Sequence, residues 1–113
     1  MKTDDQRSLF PGALEMMILR TLNRQPLHGY ALAQHIKRAS DDVLEIEEGS
    51  LYPALQRLLK EGFVSAEWGV SSTGRRVRSY RLTPVGRKHL VKEVSRFEQM
   101  LEAITRVMAR GES

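Results

Sequence analysis

Three arginines, Arg75, Arg76 and Arg78, sit close together in GRRVRSYRL, next to a turn-rich segment. Each guanidinium is permanently charged and offers a planar fork of donors, which suits phosphate oxygens. A second set lies upstream in EEGSLYPALQRLLKEG. There Leu51, Leu55 and Leu58 form an apolar stripe at i, i+4 and i+7. Ser50, Tyr52, Gln56, Arg57 and Lys60 fall mostly off that stripe. The start of such a helix presents a hydroxyl, a phenol and backbone N–H groups, which suits entry into a DNA major groove. An ordinary capped core helix would carry the same local marks. Catalysis finds no comparable support. His28, His35 and His89 lie in separate segments without metal-ligand spacing. No glycine-rich phosphate loop occurs, and Ser71, Ser72 and Thr73 lie in a turn without a base nearby in sequence. The chain is therefore expected not to be an enzyme and to need no cofactor or metal.

Charge strengthens the nucleic-acid reading. The net charge is +4, but its distribution is uneven. Asp41, Asp42, Glu45, Glu47 and Glu48 form a compact acidic segment, leaving 18 bases against nine acids in the rest of the chain. From Gly69 to Arg96 only Glu93 opposes Arg75, Arg76, Arg78, Arg81, Arg87, Lys88, Lys92 and Arg96. A segregated basic stretch is the footprint of a polyanion binder. The 113 residues correspond to one domain with a modest core. The absence of cysteine excludes a disulfide framework and fits a reducing compartment. No apolar run approaches a membrane span, and MKTDDQRS lacks a signal-peptide core. A soluble, cytoplasmic protein without membrane contact is expected.

Residues 1–8 are polar and predicted to be flexible. Pro11-Gly12 opens a first helix carrying Leu14, Met16, Met17, Ile18, Leu19 and Leu22, apolar enough to be buried on more than one side, within the monomer or against a second subunit. His28-Gly29-Tyr30 opens a second helix, with Tyr30, Ala33 and Ile36 on one face. Val43, Leu44 and Ile46 alternate with acids, which suits either a brief edge strand pointing away from any DNA or, as the plainer reading, a solvated charged loop. Ser50 is the expected N-cap of the central helix, Pro53 falls in its first turn, and Gly62 follows its end. Phe63 to Trp68 and Arg75 to Leu82 read as a β-hairpin across the turn GVSSTG. Tyr80 and Leu82 share the face that packs on the core, with Arg76 and Arg78 nearer the tip. Trp68 is expected to shield the base of the hairpin.

Thr83-Pro84 is a strong helix start, an N-cap followed by proline. From Pro84 to about Ala109, the residues Leu90, Val94, Phe97, Leu101, Ile104 and Met108 step by 4, 3, 4, 3 and 4, a sustained heptad seam. Left exposed, such side chains would be a solubility liability. Pairing with a second copy in a two-fold dimer buries them; docking on the first helix of the same chain is the competing or additional solution.

The order of elements predicts a mainly α fold with a small β-hairpin: a winged helix-turn-helix plus a C-terminal dimerisation helix. Residues 9–83 would form the DNA-binding domain and 84–110 the dimerisation helix. LPGALEMMILRTLNRQPLHGYALAQHI, EEGSLYPALQRLLKEGFVSAEW and GRRVRSYRLTPVGRKHL resemble the signatures of the PadR family of bacterial transcriptional regulators. The pairing of GSLYPALQRLLKEG with YRLTPVG is specific, and the likeness runs from Leu9 to about Leu90. The single short final helix resembles the family's small branch. The resemblance implies a winged-helix homodimer that represses a promoter and is released by an aromatic or phenolic effector. It places Ser50, Leu51 and Tyr52 at the start of the recognition helix, and Arg75, Arg76 and Arg78 in a basic wing. Gln56 and Lys60 complete the predicted DNA-binding set. Some small members stack drugs on a tryptophan of the last helix, where this chain has only Phe97. An effector pocket would lie between the first and last helices, near Met16, Met17, Phe97 and Met100. The competing function is a protein-interaction module, with the heptad seam taking a different partner.

Overall fold

The computed structural model describes residues 12–110. In chain order it contains α1 (Ala13–Leu22), β1 (Leu27–His28), α2 (Gly29–Ala39), α3 (Glu48–Lys60), β2 (Val64–Val70), β3 (Arg76–Leu82) and α4 (Pro84–Arg110). The expected flexible N-terminus and the helix start at Pro11 lie outside the described residues. The fold is mostly helical, with one small antiparallel sheet of strand order β1-β3-β2. The winged-helix prediction holds.

The core is built where the apolar stripes of the three short helices meet the base of the sheet. Ile18, Leu19 and Leu22 of α1, Leu32 and Ile36 of α2, and Leu51, Ala54, Leu55 and Leu58 of α3 form one cluster with Val64, Tyr80 and Leu82 of the sheet. Leu90 of α4 closes it. Arg57 ties α3 to α1, its Nε and Nη2 donating to Glu15 Oε2 at 2.8 and 2.7 Å.

Two junctions fix the wing and the last helix relative to α3. At the end of α3, Gly62 takes φ +79°. Its N–H donates to Leu59 O, and the Phe63 N–H donates to Leu58 O. That is a Schellman arrangement, for which glycine avoids a Cβ penalty. Thr83 then joins both ends. Its hydroxyl donates to Gly62 O at 2.7 Å and accepts from the Gly86 N–H at 3.0 Å, capping α4. Gly86 must be glycine, since a Cβ there would collide with the Phe63 carbonyl oxygen.

Several expectations are corrected. Of the two readings of the acidic segment the loop holds and the strand does not. Asp41 and Asp42 both have positive φ, and their N–H groups are spent on Arg38 and Lys37 carbonyls. Only Leu44 and Ile46 turn inward. The sheet's third strand is instead Leu27–His28, paired with Tyr80 and Ser79. Tyr30 does not face the core. Gly29, Leu32 and Ile36 supply the buried face of α2, which leaves Tyr30 outside at 65% exposure. Ser50 is not the N-cap of α3. Glu47 occupies that position, with Ser50 in the first turn and Pro53 one turn later. Trp68 does not shield the hairpin base, because Val64, Tyr80 and Leu82 already close it. It lies out along the arm, opposite Arg78.

Candidate nucleic-acid interface

The wing is a regular two-stranded arm. Val64 pairs with Leu82 at its base and Val70 with Arg76 at its far end. Alternation places Val64, Ala66, Trp68 and Val70 on one face with Leu82, Tyr80, Arg78 and Arg76. The inner half of that face is core; the outer half is cationic and aromatic. The connecting loop is held by Ser71. Its N–H donates to Arg75 O, its hydroxyl accepts from the Arg75 N–H, and its carbonyl accepts from the Gly74 N–H. Gly74, at φ +83°, supplies the left-handed residue that the turn needs.

Between this face and α3 lies an open cleft of about 670 Å³. Tyr52 and Gln56 enter it from α3, and Arg75, Arg76 and Arg78 from the wing. His28 and Tyr30 line it at the start of α2, and Trp68 and Tyr80 along the arm. Five of the eight predicted DNA-binding residues thus meet around one concavity. Ser50 and Lys60 lie elsewhere on α3, the first in its opening turn and the second at its last residue. Leu51 is removed from the set. At 1% exposure it is a core residue, pointing opposite to Tyr52 because consecutive helical residues diverge by about 100°.

The cleft is chemically ordered. The Tyr52 ring packs against Gly29, where a Cβ would come within 2.7 Å of the phenol oxygen. Burial raises the Tyr52 pKa above its ordinary value, and the nearby Glu48 and Tyr80 add to the shift. The phenol therefore keeps its proton at neutral pH and remains a hydrogen-bond donor. His28 caps α2, its Nδ1 accepting from the Ala31 N–H at 3.4 Å. The Arg76 guanidinium carbon lies 4.5 Å from the centroid of the Trp68 ring. Sequence reasoning missed Tyr30 and Trp68 as cleft residues. Their proximity to the arginines follows from the helix start at Gly29 and from the strand register.

A second groove, of about 700 Å³, lies between α1, α2 and α4. Met16, Met17 and Phe97 line it, beside Val94 and Leu101. Met100 lies apart from that groove, in a smaller one shared with Met16 and Phe97. The heptad seam divides. Leu90, at 4% exposure, belongs to the core of its own chain and is removed from the predicted dimerisation set. Val94 packs partly against the same core. Phe97 and Ile104 are half-buried, whereas Leu101 and Met108 are exposed, the latter at 71%. Among the described residues no cluster of His, Cys, Asp or Glu could hold a metal ion. No helix among them is long and apolar enough to cross a membrane.

Comparison with known proteins agrees with this architecture. The sequence model of the Transcriptional regulator PadR-like family matches residues 18–92. A transcriptional regulator of Mycobacterium tuberculosis is 33% identical over 101 residues, covering 89% of this chain and 87% of the relative. A transcriptional regulator structure from Clostridium thermocellum superposes with a TM-score of 0.78 at 28% identity, covering 85% of this chain and 93% of that one. The structure of Bacillus subtilis PadR in complex with operator DNA gives a TM-score of 0.64 at 26% identity. That match covers 72% of this chain but only 45% of PadR, so the chain corresponds to about half of the larger regulator. These similarities are to transcriptional regulators and not to enzymes. The chain belongs to the PadR-like family of transcriptional regulators.

Proposed function

We propose that the chain is a cytoplasmic, sequence-specific DNA-binding repressor that acts as a homodimer on a pseudo-palindromic promoter site. The observation that carries this reading is the cleft that joins Tyr52 and Gln56 of α3 to Arg75, Arg76 and Arg78 of the wing. In this reading α3 lies in the major groove, with Ser50, Tyr52 and Gln56 toward base edges. The wing arginines and Lys60 meet phosphates. Residues up to Thr83 form the DNA-binding domain, and α4 pairs with its copy through Phe97, Leu101, Ile104 and Met108. A two-fold dimer sets the two α3 helices roughly 34 Å apart, one turn of DNA. The relation to Bacillus subtilis PadR, described as a negative transcriptional regulator and solved with operator DNA, supports both repression and DNA as the partner. An aromatic or phenolic effector would enter beside Met16, Met17 and Phe97 and release the DNA, with Met100 at the neighbouring groove.

Fluorescence anisotropy of labelled duplexes across a salt series tests this. The duplexes are the protein's own upstream promoter and a scrambled control. Three wing arginines and Lys60 from each subunit make about six to eight phosphate contacts, so the slope of log affinity against log salt should be on the order of −5 to −7. The promoter should be preferred by at least about a thousandfold. A slope near zero would refute electrostatic DNA binding and turn attention to protein partners of α4.

A further inference from the structure

Trp68 has no part in the reading above, yet it stands in the middle of the wing's charged face. The Arg76 guanidinium carbon lies 4.5 Å from the centroid of its ring and that of Arg78 lies 5.9 Å away. Arg78 in turn lies 5.8 Å from the Tyr80 ring. Cation and ring therefore alternate along the face: Arg76, Trp68, Arg78, Tyr80. The strand register imposes this order. Trp68 is directly opposite Arg78, and Arg76, opposite Val70, is its diagonal neighbour. Trp68 is 57% exposed and absent from the core cluster. Among the described residues neither Arg76 nor Arg78 forms an ion pair with a carboxylate. The indole is thus the one ring that both guanidinium groups approach, Arg78 sharing its position between Trp68 and Tyr80.

We propose that Trp68 is a positioning residue, which holds the guanidinium groups of Arg76 and Arg78 in a fixed array before DNA arrives. The inference rests on the DNA-binding reading above. An arginine side chain has large rotamer entropy, which is lost when it is pinned to a phosphate. Stacking on the indole removes part of that freedom in advance. Because a ring face uses no N–H group, all five guanidinium donors stay available. Two such contacts, each worth a factor of roughly two to five in affinity, make the wing a preorganised phosphate clamp.

The test uses the full chain with Trp68→Leu and Trp68→Phe, the promoter duplex and a random duplex, at one low salt concentration. Trp68→Leu should weaken binding to both duplexes by about five- to twentyfold. Trp68→Phe, which retains a ring, should stay within about threefold of the parent. Arg76→Ala and Arg78→Ala should each cost less in the Trp68→Leu background than alone. Without DNA, the Arg76 side-chain NMR signals should move downfield in Trp68→Leu, because the indole ring current is gone. Unchanged affinity in Trp68→Leu, or additive losses in the double variants, would overturn the proposal. So would equal losses in Leu and Phe variants accompanied by equal falls in melting temperature, which would mark Trp68 as merely structural. Failure of the parent protein to bind either duplex would instead overturn the DNA-binding reading, and this inference with it.

Discussion

At the scale of the residue, the ring and hydroxyl of Tyr52 rest on Gly29 while the residue lines the cleft, and the proposed function gives it a recognition role as well. Tyr52→Ala should reduce discrimination between operator and random DNA, whereas alanine at the wing arginines should weaken both alike. Paired binding titrations on the two duplexes separate these effects. The raised phenol pKa has its own signature. Above about pH 10 the unfolded chain ionises at Tyr52 while the folded chain still holds the proton. The stabilisation is complete below the unfolded pKa and is lost as pH rises through the folded one. Urea titrations should therefore show Tyr52→Phe losing less stability than the parent over that alkaline range. A steeper loss in the variant would contradict the assignment. Tyr52 and Gln56 were legible as cleft residues because spacing puts them off the apolar stripe of α3, and the wing arginines because they follow a turn-rich segment beyond the core end of the strand. Tyr30 and Trp68 were not, since an aromatic residue reads as core until the helix start and strand register are known. Leu51 failed in the opposite direction. Its place in a family motif fits core packing one residue away from Tyr52.

At the scale of the element, the junction around Thr83 decides where α3, the wing and α4 meet. Thr83→Ala removes a cap and a tie to Gly62 O. It should cost about 1 kcal/mol and lower the melting temperature by ~4–8 °C in calorimetry. Gly86→Ala should cost more, because the added methyl has no free volume against the Phe63 carbonyl. Were Gly86→Ala as stable as the parent, the tight packing of α4 on the α3–β2 corner would be wrong. Both features were legible: Thr83-Pro84 and Gly62 are local signals, encoded within a few residues. The two-residue strand β1 was not. A pair as short as Leu27–His28 has no periodicity, and it becomes a strand only because β3 offers a free edge beside it. The choice between loop and strand in the acidic segment was not local for the converse reason. Its alternation was real, but the left-handed turn at Asp41 and Asp42 precedes it and directs the chain inward at Leu44 and Ile46.

At the scale of the whole molecule, the cleft between α3 and the wing and the α1–α4 groove are lined by separate sets of residues. The wing variant Arg75→Ala, Arg76→Ala, Arg78→Ala should therefore lose DNA binding and keep its oligomeric state by sedimentation. Leu101→Glu should instead give a folded monomer, with operator binding weakened by the loss of the second subunit; an unchanged sedimentation coefficient would remove α4 from the proposed interface. The heptad pattern alone could not show that Leu90 is spent on the monomer's own core and Val94 partly so, because periodicity marks a stripe without saying what covers it. That division of α4 bears on how the protein breathes. Its inner turns are anchored by Leu90, but Phe97 to Arg110 is about as long as the shortest helix that persists alone in water. Amide hydrogen exchange along α4 should therefore slow sharply toward Pro84 in dilute solution. Raising the protein concentration should extend protection outward, as subunits pair and the outer turns stop fraying.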